Sequence, residues 1–150
     1  MRAVIQRVEG ASVSVDGEEV SRIGRGLCCL VGVEAGDGDD DVDYISRKIC
    51  TVRIFDDEMG LMNLDVGEVQ GEILLISQFT LLGDARKGRR PSYSTAEGPE
   101  KAQAIFDRVV SHVSSLHGGK VATGRFQTTM DVHINNYGPV TVLLDSRKLF

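Results

Sequence analysis

The run Gly26–Val33, GLCCLVGV, is apolar without interruption and opens on a glycine. A strand wet on one side alternates apolar and polar residues, whereas one with no polar position must be covered on both faces. The run therefore predicts a central strand with a packed layer on either side. Cys28 and Cys29 then point to opposite faces. With Cys50 they are odd in number and set in apolar surroundings, which argues against a disulfide framework or a zinc site. They read as reduced, buried thiols of a cytoplasmic protein.

The rest of the chain supplies the layers. Arg2–Val8 and Ala11–Val15 read as strands, and Asp16-Gly17 after them is a hairpin signal. The acidic cluster Asp37–Asp43 suits the N-terminus of a helix over Val42–Cys50. Thr51–Phe55 and Glu72–Phe79 read as further strands, with a turn region at Asp56–Leu64. After Pro99, apolar residues recur at helical spacing from Ala102 to Leu116, and Gly118-Gly119 stops the pattern. Met130, Val132 and Ile134 alternate with polar neighbours, Pro139–Leu144 gives a last apolar strand, and Gly138-Pro139 reads as a turn between them. Many strands and two main helices, unevenly grouped, predict an α+β fold. The expected molecule is a single domain over residues 1–150 with a curved, largely antiparallel, barrel-like sheet. The opening MRAVIQRVEG has no apolar h-region and no 18-residue apolar run occurs, so neither secretion nor membrane insertion is expected.

Several chemistries are not advertised. The sequence has no GxSxG, HExxH or CxxC. GRGLCC at Gly24–Cys29 lacks the last glycine of a dinucleotide fingerprint, and Arg89-Arg90 stand where a P-loop needs Lys and Ser/Thr. His112, His117 and His133 occupy positions that suit solvated or hydrogen-bonded imidazoles.

One stretch stands out by charge. SQFTLLGDARKGRR, Ser77–Arg90, leaves the apolar strand ILLI through polar side chains and then places Arg86, Lys87, Arg89 and Arg90 within five residues. The chain carries a net charge of −5, so everything outside those four cations sums to −9 (−5 − 4). Clustered cations repel one another unless an anion or carboxylates offset them. A small basic patch on an acidic protein fits a few phosphates, as at the end of an RNA, better than a long duplex. A non-enzymatic RNA-binding module and a sheet that dimerises are the rival readings.

SQFTL at Ser77–Leu81, KGRRPSY at Lys87–Tyr93 and NYGPVT at Asn136–Thr141, with the opening MRAVIQRVEGASVSVDG, together resemble the D-aminoacyl-tRNA deacylase (D-tyrosyl-tRNA deacylase) family. The resemblance spans essentially the whole chain. It implies a homodimer acting on aminoacyl-tRNA, with no cofactor, no metal, no DNA and no membrane. Ser77, Gln78, Phe79 and Thr80 of one chain would line a pocket for the 3′-terminal adenosine and its ester. Gly138 and Pro139, joined by a cis bond, would enter that pocket from the other chain, with Arg7 supporting them. The implied reaction hydrolyses D-aminoacyl-tRNA, and glycyl-tRNA mischarged on an alanine tRNA, to amino acid and tRNA. Backbone N–H groups would stabilise the oxyanion. The RNA's 2′-hydroxyl would assist the water and leave Thr80 a positioning role. From their charge alone, Arg86, Lys87, Arg89 and Arg90 are expected to hold phosphates.

Overall fold

A computed structural model describes residues 1–150. Strand β1 (Arg2–Val15) turns through Asp16-Gly17, both at positive φ, into β2 (Glu18–Ile23). Strand β3 (Gly26–Gly32) follows, then helix α1 (Asp39–Thr51) and a small hairpin of β4 (Phe55–Asp56) and β5 (Met62–Leu64). Strand β6 (Glu72–Ser77) passes into a 3-10 helix (Phe79–Leu82). Helix α2 (Pro99–His117), β7 (Val121–Thr123) and β8 (Asp131–Asp145) complete the chain.

The main sheet runs β2-β1-β3-β6-β7, with β8 added along β1. Pairing is antiparallel around β1, to β2, β3 and β8. It is parallel along β3-β6-β7, because the connections between those strands carry the two helices. Strands β2 and β7, at opposite ends of the path, approach one another, so the sheet curls into a nearly closed, barrel-like form.

Covering β3 on both faces accounts for its composition. One core cluster places Leu27, Cys29 and Val31 under Ile45 and Ile49 of α1 and Phe106 and Val109 of α2. The other places Cys28 inside the curl with Val8, Val13, Leu74 and Ile76. The two adjacent cysteines thus face opposite ways, and all three thiols are free and buried. Burial pushes Cys28 up to about 12 and Cys50 up to about 11, and Cys29 well above its ordinary value.

Four boundaries differ from the sequence reading. Helix α1 begins at Asp39, where the Asp41 carboxylate accepts the Gly38 N–H at 2.9 Å, and it runs on to Thr51. The strand expected over Thr51–Phe55 is reduced to Phe55–Asp56. Strand β6 ends at Ser77, and Phe79 starts the 3-10 helix. The pairs of strands expected at 2–15 and at 130–144 are each one long strand, because β1 and β8 pair with each other along their length. The turn expected at Gly138-Pro139 survives as a bulge. From the rung Gln6–Thr141 to Val8–Asn136, β1 advances two residues (8 − 6) and β8 five (141 − 136). Helix α2 matches expectation, with Pro99 in its first turn and Gly118 left-handed at its end.

Candidate active site

Strands β3 and β6 run parallel, and their carboxyl ends lie side by side, Val31 opposite Ser77. In open α/β sheets that edge is where ligands bind, since the crossover chains leave a crevice there. Here the crevice is a cavity of about 480 Å³. Ser77, Gln78 and Phe79 form one side of it, Ala102 and Phe106 of α2 another, and Phe126–Thr128 with Met130 a third. Its apolar walls and few polar groups suit a small organic moiety.

The 3-10 helix gives the polar side its shape. The Gln78 N–H donates to the Val31 carbonyl at 2.8 Å, which closes the β6 end against β3. A helix start leaves its first N–H groups, those of Phe79 and Thr80, without intrahelical acceptors. The Gln78 side-chain amide donates to the Thr80 hydroxyl at 2.8 Å. That partner is a donor and not a base, so nothing beside Thr80 activates it as a nucleophile. Phe79 is 57% exposed and meets Tyr93 edge to face, ring centres 5.2 Å apart.

Close approach of this helix to the sheet depends on Gly32. A Cβ there would lie 2.6 Å from Leu82 Cδ2 and 2.8 Å from the Gln78 carbonyl oxygen. Sequence reasoning gave no role to Gly32, to Tyr93 or to Phe126–Thr128. A glycine in an apolar strand and a polar loop carry no local signature of a cavity wall.

Arg7 and the Gly138-Pro139 segment form a second cluster. Arg7 is 6% exposed, and a buried cation needs partners. It donates to the Ile54 carbonyl at 2.7 Å, the Tyr137 carbonyl at 3.3 Å and the Asp56 carboxylate at 3.3 Å. Its guanidinium also lies over the Tyr137 ring at 5.1 Å. The Gly138–Pro139 peptide is cis, and Gly138 has φ +118. A Cβ on Gly138 would sit 2.8 Å from Val140 Cγ2 and 2.9 Å from Arg7 Nη2.

Within one chain the two clusters stay apart. On β1 the cavity lies level with Ala3, the partner of Val31, and the bulge lies level with Gln6–Val8. Three to five residues of strand separate them, roughly 10–16 Å. Neither Gly138 nor Pro139 lines the cavity of its own chain.

The basic loop divides. Arg86 is paired with Asp84, Nη2 to Oδ2 at 2.7 Å and Nε to Oδ1 at 2.9 Å, and this ion pair holds the Asp84 carboxyl well below its ordinary range. Lys87, Arg89 and Arg90 are exposed. Two of the three histidines have protein partners, and His133 is exposed. His117 binds the Gly71 carbonyl at 2.9 Å, and His112 lies 3.7 Å from Asp43.

The comparisons with known proteins agree along the whole chain. A family model described as D-Tyr-tRNA(Tyr) deacylase matches residues 4–145. A D-aminoacyl-tRNA deacylase of Natranaerobius thermophilus is 53% identical over 150 residues, all of both chains. The solved structure of a protein named c-Myc DNA Unwinding Element Binding Protein superposes with a TM-score of 0.92 at 39% identity, covering 97% of this chain and 98% of that one. Another, of a probable eukaryotic D-amino acid tRNA deacylase, reaches 0.79 at 18% identity over 95% and 97%, a likeness of fold. A match along nearly the whole length settles the family: this chain is an enzyme of the D-Tyr-tRNA(Tyr) deacylase family, a hydrolase.

Proposed function

We propose that the protein hydrolyses the ester of D-aminoacyl-tRNA at the cavity bounded by Ser77–Phe79, as a homodimer in which each chain completes the other's site. The observation that carries this is the separation just described. Gly138 and Pro139 lie exposed at a bulge backed by Arg7, outside the cavity of their own chain. A second copy offers them one.

In this reading the ester lies against the start of the 3-10 helix, where the Phe79 and Thr80 N–H groups receive the developing oxyanion. Thr80, held by the Gln78 amide, positions the substrate, and the RNA's 2′-hydroxyl assists the attacking water. Gly138 and Pro139 of the second chain stand on the side where an L-residue carries its side chain. D- and L-residues differ at Cα only in where hydrogen and side chain project. A wall there rejects every L-residue by clash and admits D-residues and glycine alike, so glycyl-tRNA mischarged on an alanine tRNA is a substrate too. Lys87, Arg89 and Arg90 contact phosphates of the acceptor end, in the cytoplasm where tRNA is used.

The test sets D-tyrosyl-tRNA, L-tyrosyl-tRNA and glycyl-tRNA(Ala) side by side and follows released amino acid, with sedimentation of the same sample. Release from the first and third only, by a dimer, is the expected result. Equal release from the L-ester, or full activity in a monomer, overturns the crossed site. The likeness at TM-score 0.92 to a protein named for binding a DNA element raises a second reading, binding to DNA. Excess duplex DNA that fails to inhibit deacylation would set it aside.

A further inference from the structure

A four-residue 3-10 helix makes few bonds of its own, so its tilt is set from outside. Its last three carbonyls can be followed one by one. The Thr80 oxygen accepts the Gly83 N–H at 3.0 Å, and the Leu82 oxygen accepts the Thr95 hydroxyl at 3.4 Å. The Leu81 oxygen accepts Arg2 Nη1 at 3.1 Å. Only the last is charge-assisted, the stronger class of hydrogen bond.

Arg2 is itself aimed. Its cross-strand partner on β8 is Asp145, whose side chain is fully buried and accepts the Arg2 Nε–H at 3.2 Å. The other oxygen of Asp145 accepts the Arg147 N–H at 2.7 Å, which fixes the carboxylate. The partner of Arg2 on the opposite side, in β3, is Gly32. One rung of the sheet therefore provides both the space the 3-10 helix occupies and the cation that tethers it.

We propose that Arg2 is a positioning residue for deacylation. Through the Leu81 carbonyl it sets the tilt of the 3-10 helix, and so where the Phe79 and Thr80 N–H groups and the Gln78 amide point in the cavity. This rests on the reading that Ser77–Thr80 hold the ester. Arg2 touches no reacting atom. Its removal lowers the rate of the chemical step and leaves tRNA binding, which belongs to the basic loop, largely intact.

The experiment compares Arg2→Met and Arg2→Lys with the unaltered enzyme in single-turnover and steady-state deacylation of D-tyrosyl-tRNA, with hydrogen exchange of backbone amides. Arg2→Met is expected to lower kcat by about 10- to 100-fold, the scale of an ångström-sized misplacement, with KM little changed. Arg2→Lys should recover part of that loss. The Leu81 and Gly83 amides, which donate to Gln78 and Thr80 carbonyls, should exchange faster in Arg2→Met while β3 keeps its protection. An unchanged kcat in Arg2→Met overturns the proposal. So does a loss of kcat accompanied by faster exchange throughout β1 and β3, which marks a general structural role. Should Arg2→Met fail to fold, Arg2→Lys carries the test, since one swivelling ammonium replaces a rigid fork. A normal kcat in that variant rejects the assignment, and a partial fall with faster exchange at Leu81 and Gly83 supports it. Gln78→Ala, run in parallel, separates the two readings. If it lowers kcat and Arg2→Met does not, the cavity assignment stands and this one fails. If neither does, the cavity assignment itself fails.

Discussion

The 3-10 helix at Phe79–Leu82 and the bulge at Tyr137–Val140 are held by the same device and presented in opposite ways. Each is tied through a backbone carbonyl to an arginine of β1, Leu81 to Arg2 and Tyr137 to Arg7. The 3-10 helix closes over a cavity built entirely within its own chain. The bulge turns outward, with Tyr137 48% exposed and Gly138 and Pro139 exposed and outside that cavity. A cavity whose walls come from one chain stands without a partner; an exposed projection held in place by a buried arginine does not explain itself until a second surface is supplied.

The sharpest way to break this contrast is Gly138→Ala. A residue at φ +118 with a Cβ 2.8 Å from Val140 Cγ2 and 2.9 Å from Arg7 Nη2 must shift the bulge. Deacylation of D-tyrosyl-tRNA should fall by about 100-fold through that misplacement, without L-esters becoming substrates. Mixing this variant with Gln78→Ala protein should restore activity, because a mixed dimer holds one intact bulge facing one intact cavity. No recovery after subunit exchange would place both defects in the same chain's site.

Gly32→Ala attacks the other region. Its Cβ would press on Leu82 and on the Gln78 carbonyl, so overpacking should cost about 1–3 kcal/mol of stability in chemical denaturation. Activity should fall with it, and the subunit-mixing test should rescue it with Gly138→Ala as partner. The basic loop sharpens the comparison from the cavity side. Neutralising Lys87, Arg89 and Arg90 together should flatten the salt dependence of tRNA binding by about two to three logarithmic units per tenfold salt, the share of three phosphates. Neutralising Arg86 alone should change it less, because Asp84 already pairs with it. The smallest effect belongs to Thr80→Ala. It removes one neutral hydrogen bond, worth about 0.5–1.5 kcal/mol, so kcat should stay within about tenfold. A substrate ending in 2′-deoxyadenosine should suffer far more, and the reverse order would give Thr80 the proton.

The sequence was most legible where one residue type has one physical use. An apolar run with no polar position marked β3 as covered twice, and Pro99 and Gly118 bracketed α2. It was least legible where partners distant in sequence decide. Nothing local says that β1 is a single strand, because its continuity comes from β8, more than a hundred residues away. The end of β6 falls two residues before the one its composition suggests, because Phe79 is as good a strand residue as a helix one. Its place is set by the Gln78 bond to Val31 and by the space above Gly32. In the candidate site, Ser77–Thr80 and Gly138-Pro139 were visible as motifs, and Arg7 entered through the family resemblance. Arg2, at the start of the same strand, looks like any surface arginine until Leu81 is found beneath it.

That both tethers belong to β1 makes the strand a ruler. The offset between cavity and bulge is a count of residues, five from Arg2 to Arg7, multiplied by the fixed rise of extended chain. A substitution along it alters one rung. A single inserted or deleted residue changes the length marked off and turns every following side chain to the other face. The strand can therefore drift in composition while remaining closed to change in number.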